Sequence, residues 1–532
     1  MRLVVALSLL AAPASAQTLV VGMAQSIGDF HPFLTTQLAT NYVLNAGRRV
    51  MTGVDNAGQV FCRLCTEVPT LANGRAKLTA GGMTVTYTLR PGLKWGDGVA
   101  MTARDFVFGL EVGNAFSPSV TIAAARALDA VTLEVDLKAP SYDFDRSAPA
   151  PLPAHLEEPV FRAAATPVEY GNKSLFNRSP EVAGLWNGPY RITRFLPGDA
   201  VTMEPNAHWD GPVPAYKKVT FRLIENTAAL QANLLSGDVD MTGEVGLTID
   251  QALGLEKSNK AKFDVQILPS LGVQQLYVRQ DVWPLDDKRV RHALAMAIDR
   301  KTIVARLFEG RVPVADSFLT AGEFGAHPDI RTPAYDPKAA RALLEQAGFK
   351  PGADGIMRAA DGRRLSIDIA AASGNRLNDL LEQVMQSQFK AIGVELVIGN
   401  VPTRVLIGEL LRYRKYQGVA LLSYTPPPDW VPYVRFHSTF IPSEANNWIG
   451  SNTFGLRSAK MDAALMAARA ALDPVERKRQ WRDILEVAAD ELPVIPLYML
   501  TSPMVMNRSI AGVVPPPMPG LSTLWIEQWK PR

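Results

Sequence analysis

The chain has 532 residues, too many for one hydrophobic core, so two or three domains are expected. Apolar residues make up 47% and charged residues 20%, an ordinary soluble balance, and Lys+Arg number 55 against 52 Asp+Glu. So small and evenly spread an excess argues against a nucleic-acid tract or a basic membrane-facing surface.

The N-terminus reads as an export signal. Arg2 gives a short positive region, Leu3 to Leu10 is apolar, and Ala14-Ser15-Ala16 fits a small-residue cleavage site before Gln17. That run is too short to span a bilayer, and no later run approaches about eighteen apolar residues. No cysteine follows the site, so no lipid anchor is expected. The expectation is a freely soluble periplasmic protein cleaved after Ala16.

Thr18 to Met23 has the character of a buried strand, and Thr40 to Met51 has helical spacing. Cys62 and Cys65 are the only cysteines. Zinc would need two further ligands, and the six histidines (His31, His155, His208, His292, His327, His437) are scattered. Thr66 to Thr70 continues as loop, which disfavours a thioredoxin-like motif. A local structural disulfide is expected, with a modest effect on stability.

Met83, Val85, Tyr87 and Leu89 alternate with Thr84, Thr86, Thr88 and Arg90, the period of a half-buried strand. Pro91-Gly92 ends it, Gly96-Asp97-Gly98 turns again after Trp95, and Thr102 stands three residues before Asp105. That spacing is a capping box opening a helix through Phe106, Phe108 and Leu110. Val131 to Lys138 alternates as another strand, and the proline-dense span 140–180 is expected to be a surface region with short helices.

Strands are further expected around Ile192 and Phe195, at Val219 to Leu223, at Phe263 to Leu268 and, separately, at Gly272 to Arg279. Asp286-Asp287 opens a helix whose apolar stripe runs from Val290 to Leu307 and stops at Gly310. Beyond it, helices at Asp336–Gly348, Asn378–Lys390 and Asp473–Ala489 alternate with strands at Leu365–Ile369, Val394–Ile398 and Val419–Leu422. That alternation predicts an α/β lobe.

The string Leu89–Phe108, LRPGLKWGDGVAMTARDFVF, resembles the signature of the family 5 solute-binding proteins, receptors of oligopeptide-, dipeptide- and nickel-type ABC importers. It departs from that pattern at Ala100, where proline is usual, and at Phe106, where valine is usual. Asn187-Gly188-Pro189-Tyr190, Asn206–Asp210, Gly237–Asp240, Pro284–Val304 and Leu492–Tyr498 resemble further family landmarks in the same order. The resemblance implies a two-lobed, periplasmic binding protein type II-like α/β fold with an inserted subdomain and a hinged ligand cleft. Lobe I would comprise 17–55, 186–268 and 495–532, the subdomain 56–185, and lobe III 269–494.

Signals for catalysis are thin. Ser387-Gln388-Phe389-Lys390 has SxxK spacing, but no KTG follows and Ser387 falls within an amphipathic helix. The segment suited to a small ligand is Leu421–Asn447, which follows a strand and is rich in proline and aromatics. By resemblance, Asp429 there would anchor a ligand amine, although Pro-Pro-Pro-Asp-Trp replaces the usual Gly-Asp-Pro-Asp; alternatively Asp429 caps a helix after a rigid turn. Tyr424, Trp430 and Trp448 would line the pocket or fill the core. Ser26 and Phe30 from the first loop, and Gln274 and Tyr277 from a crossing strand, are placed by the resemblance alone. The expectation is a monomeric, non-enzymatic receptor without metal or cofactor, handing a small peptide to an ABC permease. The alternatives are a sugar, an opine-like amine or a metal chelate as solute, or an exported hydrolase.

Overall fold

A computed structural model describes residues 18–35, 37–55, 59–320, 323–426, 431–514 and 522–532. The expected export signal lies outside the described residues. Strand β1 (Thr18–Met23) leads through a loop to helix α1 (Leu38–Gly47). A short hairpin then carries Cys62 and Cys65, which form a disulfide with a Cα–Cα distance of 5.1 Å.

The inserted unit follows. Strands β2 (Ala76–Thr79), β3 (Gly82–Thr88), β4 (Ile122–Ala127) and β5 (Thr132–Leu137) form an antiparallel sheet in the order β2-β3-β5-β4. Helix α2 (Ala103–Phe116) packs on it, and Met83, Val85, Tyr87, Trp95, Phe106 and Leu133 share one core. The capping box forms as its spacing predicts, with Thr102 donating its amide to Asp105 Oδ2 at 2.8 Å. The other oxygen of Asp105 accepts from Ala154 at 3.0 Å, fixing the start of α3 (Ala154–Ala163).

The main sheet has ten strands. Besides β1 it takes β6 (Tyr190–Leu196), β7 (Ala200–Pro205), β8 (Lys218–Leu223), β9 (Met241–Thr242) and the long β10 (Phe263–Val278). Helices α4 (Lys288–Ala297) and α5 (Arg300–Phe308) follow, then β11 (Ser366–Ala370), α6 (Arg376–Ala391), β12 (Glu395–Ile398) and β13 (Val419–Tyr424). Helix α7 (Pro474–Glu491) and β14 (Val494–Asn507) end the series. The order is β12-β11-β13-β10-β14-β9-β1-β8-β7-β6. Two cores lie along it: Leu19, Tyr42, Phe221, Met504 and Trp529 belong to one, and Leu276, Leu294, Ile367, Phe389 and Ile495 to the other.

Three features differ from the sequence reading. The two strands expected at 263–268 and 272–279 are one strand, with its register against β14 shifting between Pro269 and Val273. Proline removes one ladder donor, which interrupts a long pair without ending it. The stripe from Val290 to Leu307 is two helices, because Asp299 caps a new start by accepting from Thr302 N at 3.0 Å. The span 140–180 is not merely surface: Glu157, Tyr170 and Phe176 are fully buried there. Its helices are too short to show an apolar period.

Candidate ligand cleft

Strands β1, β8 and β9 run parallel to one another, and β9 runs antiparallel to β14. On the other side β11 runs parallel to β13, which is antiparallel to β10. Since β10 and β14 are themselves antiparallel, the C-terminal ends of the two parallel sets point at each other. Ligand crevices form outside such strand ends, where loops are free to vary.

A cavity of about 1050 Å³ lies there. Loops after β1, β8 and β9 contribute Gln25, Glu225 and Glu244 to Gln251; α5 and the start of α6 contribute Arg306, Phe308, Asn375 and Arg376; β14 supplies Tyr498 and Thr501. The loops after β8 and β9 therefore bring the acidic residues Glu225, Glu244 and Asp250 to the cavity lining, and α5 and α6 bring the basic residues Arg306 and Arg376. Glu244 is the best-held of these. Ser522 donates to it from its amide at 3.2 Å and from its hydroxyl at 2.9 Å, and the Tyr42 hydroxyl is 2.8 Å from Ser522 Oγ. Burial pushes the Glu244 carboxyl above its ordinary proton affinity.

A second polar group stands at the end of β13. The Arg435 guanidinium lies 3.7 Å from the Tyr424 ring centre and 4.9 Å from that of Tyr277, and its Nη1 donates to the Tyr277 hydroxyl at 3.0 Å. Arg435 is only 2% exposed, and its Nε and Nη2 are buried without a hydrogen-bond partner among the described residues. Nearby, Glu323 accepts from the Thr320 amide, and burial pushes its carboxyl up to about 7. Burial also raises the Tyr424 phenol to about 12, with the Glu323 charge adding to the rise.

The expected site residues are dispersed differently. Tyr277 and Tyr424 meet around Arg435, and Gln274 ties the same two strands by accepting from Ser423 Oγ at 2.9 Å. Ser26 is exposed after β1. Phe30 packs in the core edge-on to Phe195 at 5.0 Å instead of facing open space, because the loop folds back over β6. Trp448 stands apart, edge-on to Tyr413 at 5.2 Å. Asp429 and Trp430 lie outside the described residues. The sequence reading missed Glu244, Glu323 and Arg435. Only Arg435 left a trace, as a cation inside an aromatic run.

Ser387 is exposed in the middle of α6. Among the described residues no group of three His, Cys, Asp or Glu side chains could hold a metal ion, and no helix is long and apolar enough to cross a membrane. His31 is fully buried, 3.2 Å from the Tyr170 hydroxyl, and burial lowers its proton affinity to about 3.

Residues 66–441 match the bacterial extracellular solute-binding proteins, family 5 Middle. The oligopeptide-binding protein AppA of Bacillus subtilis is 25% identical over 538 residues, covering 97% of this chain and 92% of that protein. The nickel-binding periplasmic protein of Escherichia coli is 25% identical over 450 residues, covering 82% and 81%. The crystal structure of an oligopeptide-binding protein from Thermus thermophilus, complexed with a pentapeptide, superposes with a TM-score of 0.77 at 25% identity, covering 97% of this chain and 96% of that one. The type II-like two-lobed fold is thus shared along nearly the whole length. The chain belongs to the family 5 bacterial extracellular solute-binding proteins.

Proposed function

We propose that this protein captures a short peptide or peptide-like solute between its two lobes and delivers it to the membrane permease of an ABC importer. The observation that carries the reading is the cleft itself, about 1050 Å³ and lined by both acidic and basic residues. That volume is at the upper end for single small-ligand sites, and a lining with charges of both signs suits a zwitterion such as a peptide. The names of the oligopeptide-binding relatives support the same class.

The lobes are those of the bounds given above, and β10 and β14 are the hinge. Closure bends the pair where its register shifts between Pro269 and Val273. Ligand binds the closed state better and so shifts the population toward it. The protein acts as a monomer in the periplasm after cleavage at Ala16. Import energy comes from the transporter's ATPase, and no chemistry is assigned to this chain.

Native mass spectrometry of protein purified without refolding tests this reading. Adducts of peptide mass support it. An adduct of a sugar or of a metal chelate replaces the solute class and leaves the fold untouched.

A further inference from the structure

At the C-terminal end of α1 three arginines, Arg48, Arg49 and Arg63, converge on a second cavity of about 100 Å³. Among the described residues one carboxylate meets them: Glu527 pairs with Arg49 Nη2 at 2.7 Å. Arg49 also donates from Nη1 to the carbonyls of Asn45 and Arg48 at 2.5 and 2.9 Å. Closing a helix C-terminus is an ordinary task for a cation, and it accounts for Arg49.

It leaves the other two. Arg48 reaches the Pro151 carbonyl at 3.0 Å, while its Nε is buried with no partner among the described residues. Arg63 lies 5.1 Å from the Phe61 ring centre and 4.7 Å from that of Trp525, and those rings stack 5.5 Å apart. Among the described residues neither Arg48 nor Arg63 has a carboxylate at ion-pair distance. Burial lowers the proton affinity of Arg48 to about 10; burial, and then the charge of Arg49, lower that of Arg63 to about 10. Both side chains are half-buried, and Glu527, already paired with Arg49, is the one carboxylate among the described residues whose charge reaches Arg63. Partly buried cations in excess of their counter-charge are costly, and an incoming anion relieves them.

Arg63 is also held in place. The Cys62–Cys65 disulfide brackets it, and the amides of Arg63 and Leu64 both donate to the Met51 carbonyl at 2.9 and 3.0 Å. Arg90 Nη2 fixes the Arg63 carbonyl at 2.7 Å. One water needs roughly 10–15 Å³ of such space, so 100 Å³ admits a carboxylate or phosphate group with water to spare. Guanidinium forks match the planar and tetrahedral oxygens of those groups.

We propose that Arg48, Arg49 and Arg63 form an oxyanion subsite beside the lobe I wall of the cleft. The same helix carries Tyr42, whose hydroxyl contacts the Ser522–Glu244 pair at that wall. The shared chemistry is an oxyanion, supplied either by inorganic phosphate or by the acidic group of an organic solute. The subsite stands on the arginines and does not require the solute to be a peptide.

Calorimetric titration of the full mature protein with inorganic phosphate, and separately with N-acetylglutamate and its neutral diamide, distinguishes the sources. Saturable phosphate binding, weakened at least tenfold in Arg63→Gln and in Arg48→Gln, supports a free-anion site. Binding of N-acetylglutamate but not of its diamide, with the same loss in the variants, supports an organic acid. Arg63→Lys keeps the charge without the fork and replaces Arg63→Gln if circular dichroism shows the latter unfolded; it too should bind more weakly. Binding that survives these substitutions in folded protein, or no binding of either anion by the unsubstituted protein at millimolar concentration, overturns the proposal.

Discussion

Tyr277, on the crossing strand β10, accepts a 3.0 Å hydrogen bond from Nη1 of Arg435, which comes from the segment beyond β13. With Nε and Nη2 unpartnered among the described residues, this bond and the neighbouring Tyr424 phenol hold a nearly inaccessible cation. Removing the Tyr277 hydroxyl takes one of these partners away. Tyr277→Phe should destabilise the protein by about 1–3 kcal/mol, seen as a lower urea midpoint with an unchanged slope.

Glu323 has a carboxyl raised to about 7 by burial, against 4.5 ordinarily. The folded state holds that proton more tightly than the unfolded chain does. Its contribution to stability is thus fully present below about 4.5 and is lost as pH rises through about 7. A thermal melt between pH 5 and 7.5 should show the midpoint falling with pH. Glu323→Gln, which keeps the neutral form at all pH values, should flatten that part of the curve.

Two glycines in α2 separate packing from propensity. A Cβ at Gly109 would come 2.0 Å from the Ala150 carbonyl oxygen, whereas at Gly113 it meets only Phe33, at 3.8 Å. Gly109→Ala should cost about 1–3 kcal/mol through enforced backbone movement. Gly113→Ala should instead stabilise by about 0.5–1 kcal/mol. Chemical denaturation of the pair tests both signs.

Closing a loop as short as that between Cys62 and Cys65 removes little chain entropy. Replacing both by alanine should cost about 2 kcal/mol in unfolding free energy. If the disulfide also orders Arg63, the same variant should lose phosphate affinity beyond what its stability change explains.

On the anchoring role that the family resemblance implies for it, Asp429→Ala should weaken binding of a peptide with a free amino terminus by about 2–5 kcal/mol, the ligand ammonium then losing its counter-charge. Calorimetry against the same peptide N-acetylated provides the control. Equal affinities of the two protein forms for the free-amine peptide would remove the anchor.

Regular elements were legible because their signals are local. The capping box at Thr102–Asp105, the alternation at Met83–Leu89 and the proline-opened helix at Pro474 each need only a few neighbours. The split at Asp299 was missed because the apolar stripe on either side continues in phase. The polar groups of the cleft were hidden for a different reason. Glu244 acquires its role from Ser522, 278 positions away, and Arg435 from Tyr277, 158 positions away. No window along the chain brings such partners together.

The pairing of β9 with β14 sets an order on folding. β1 borders β9, and β9 borders a strand that begins only at Val494, while Thr523 donates to the Tyr42 carbonyl at 2.6 Å. β1 thus waits for a strand made about 470 residues after it before this half of the sheet is complete. Contacts of such sequence separation are slow to form. Truncation before Val494 should leave the edges of β9 and β10 without their shared partner.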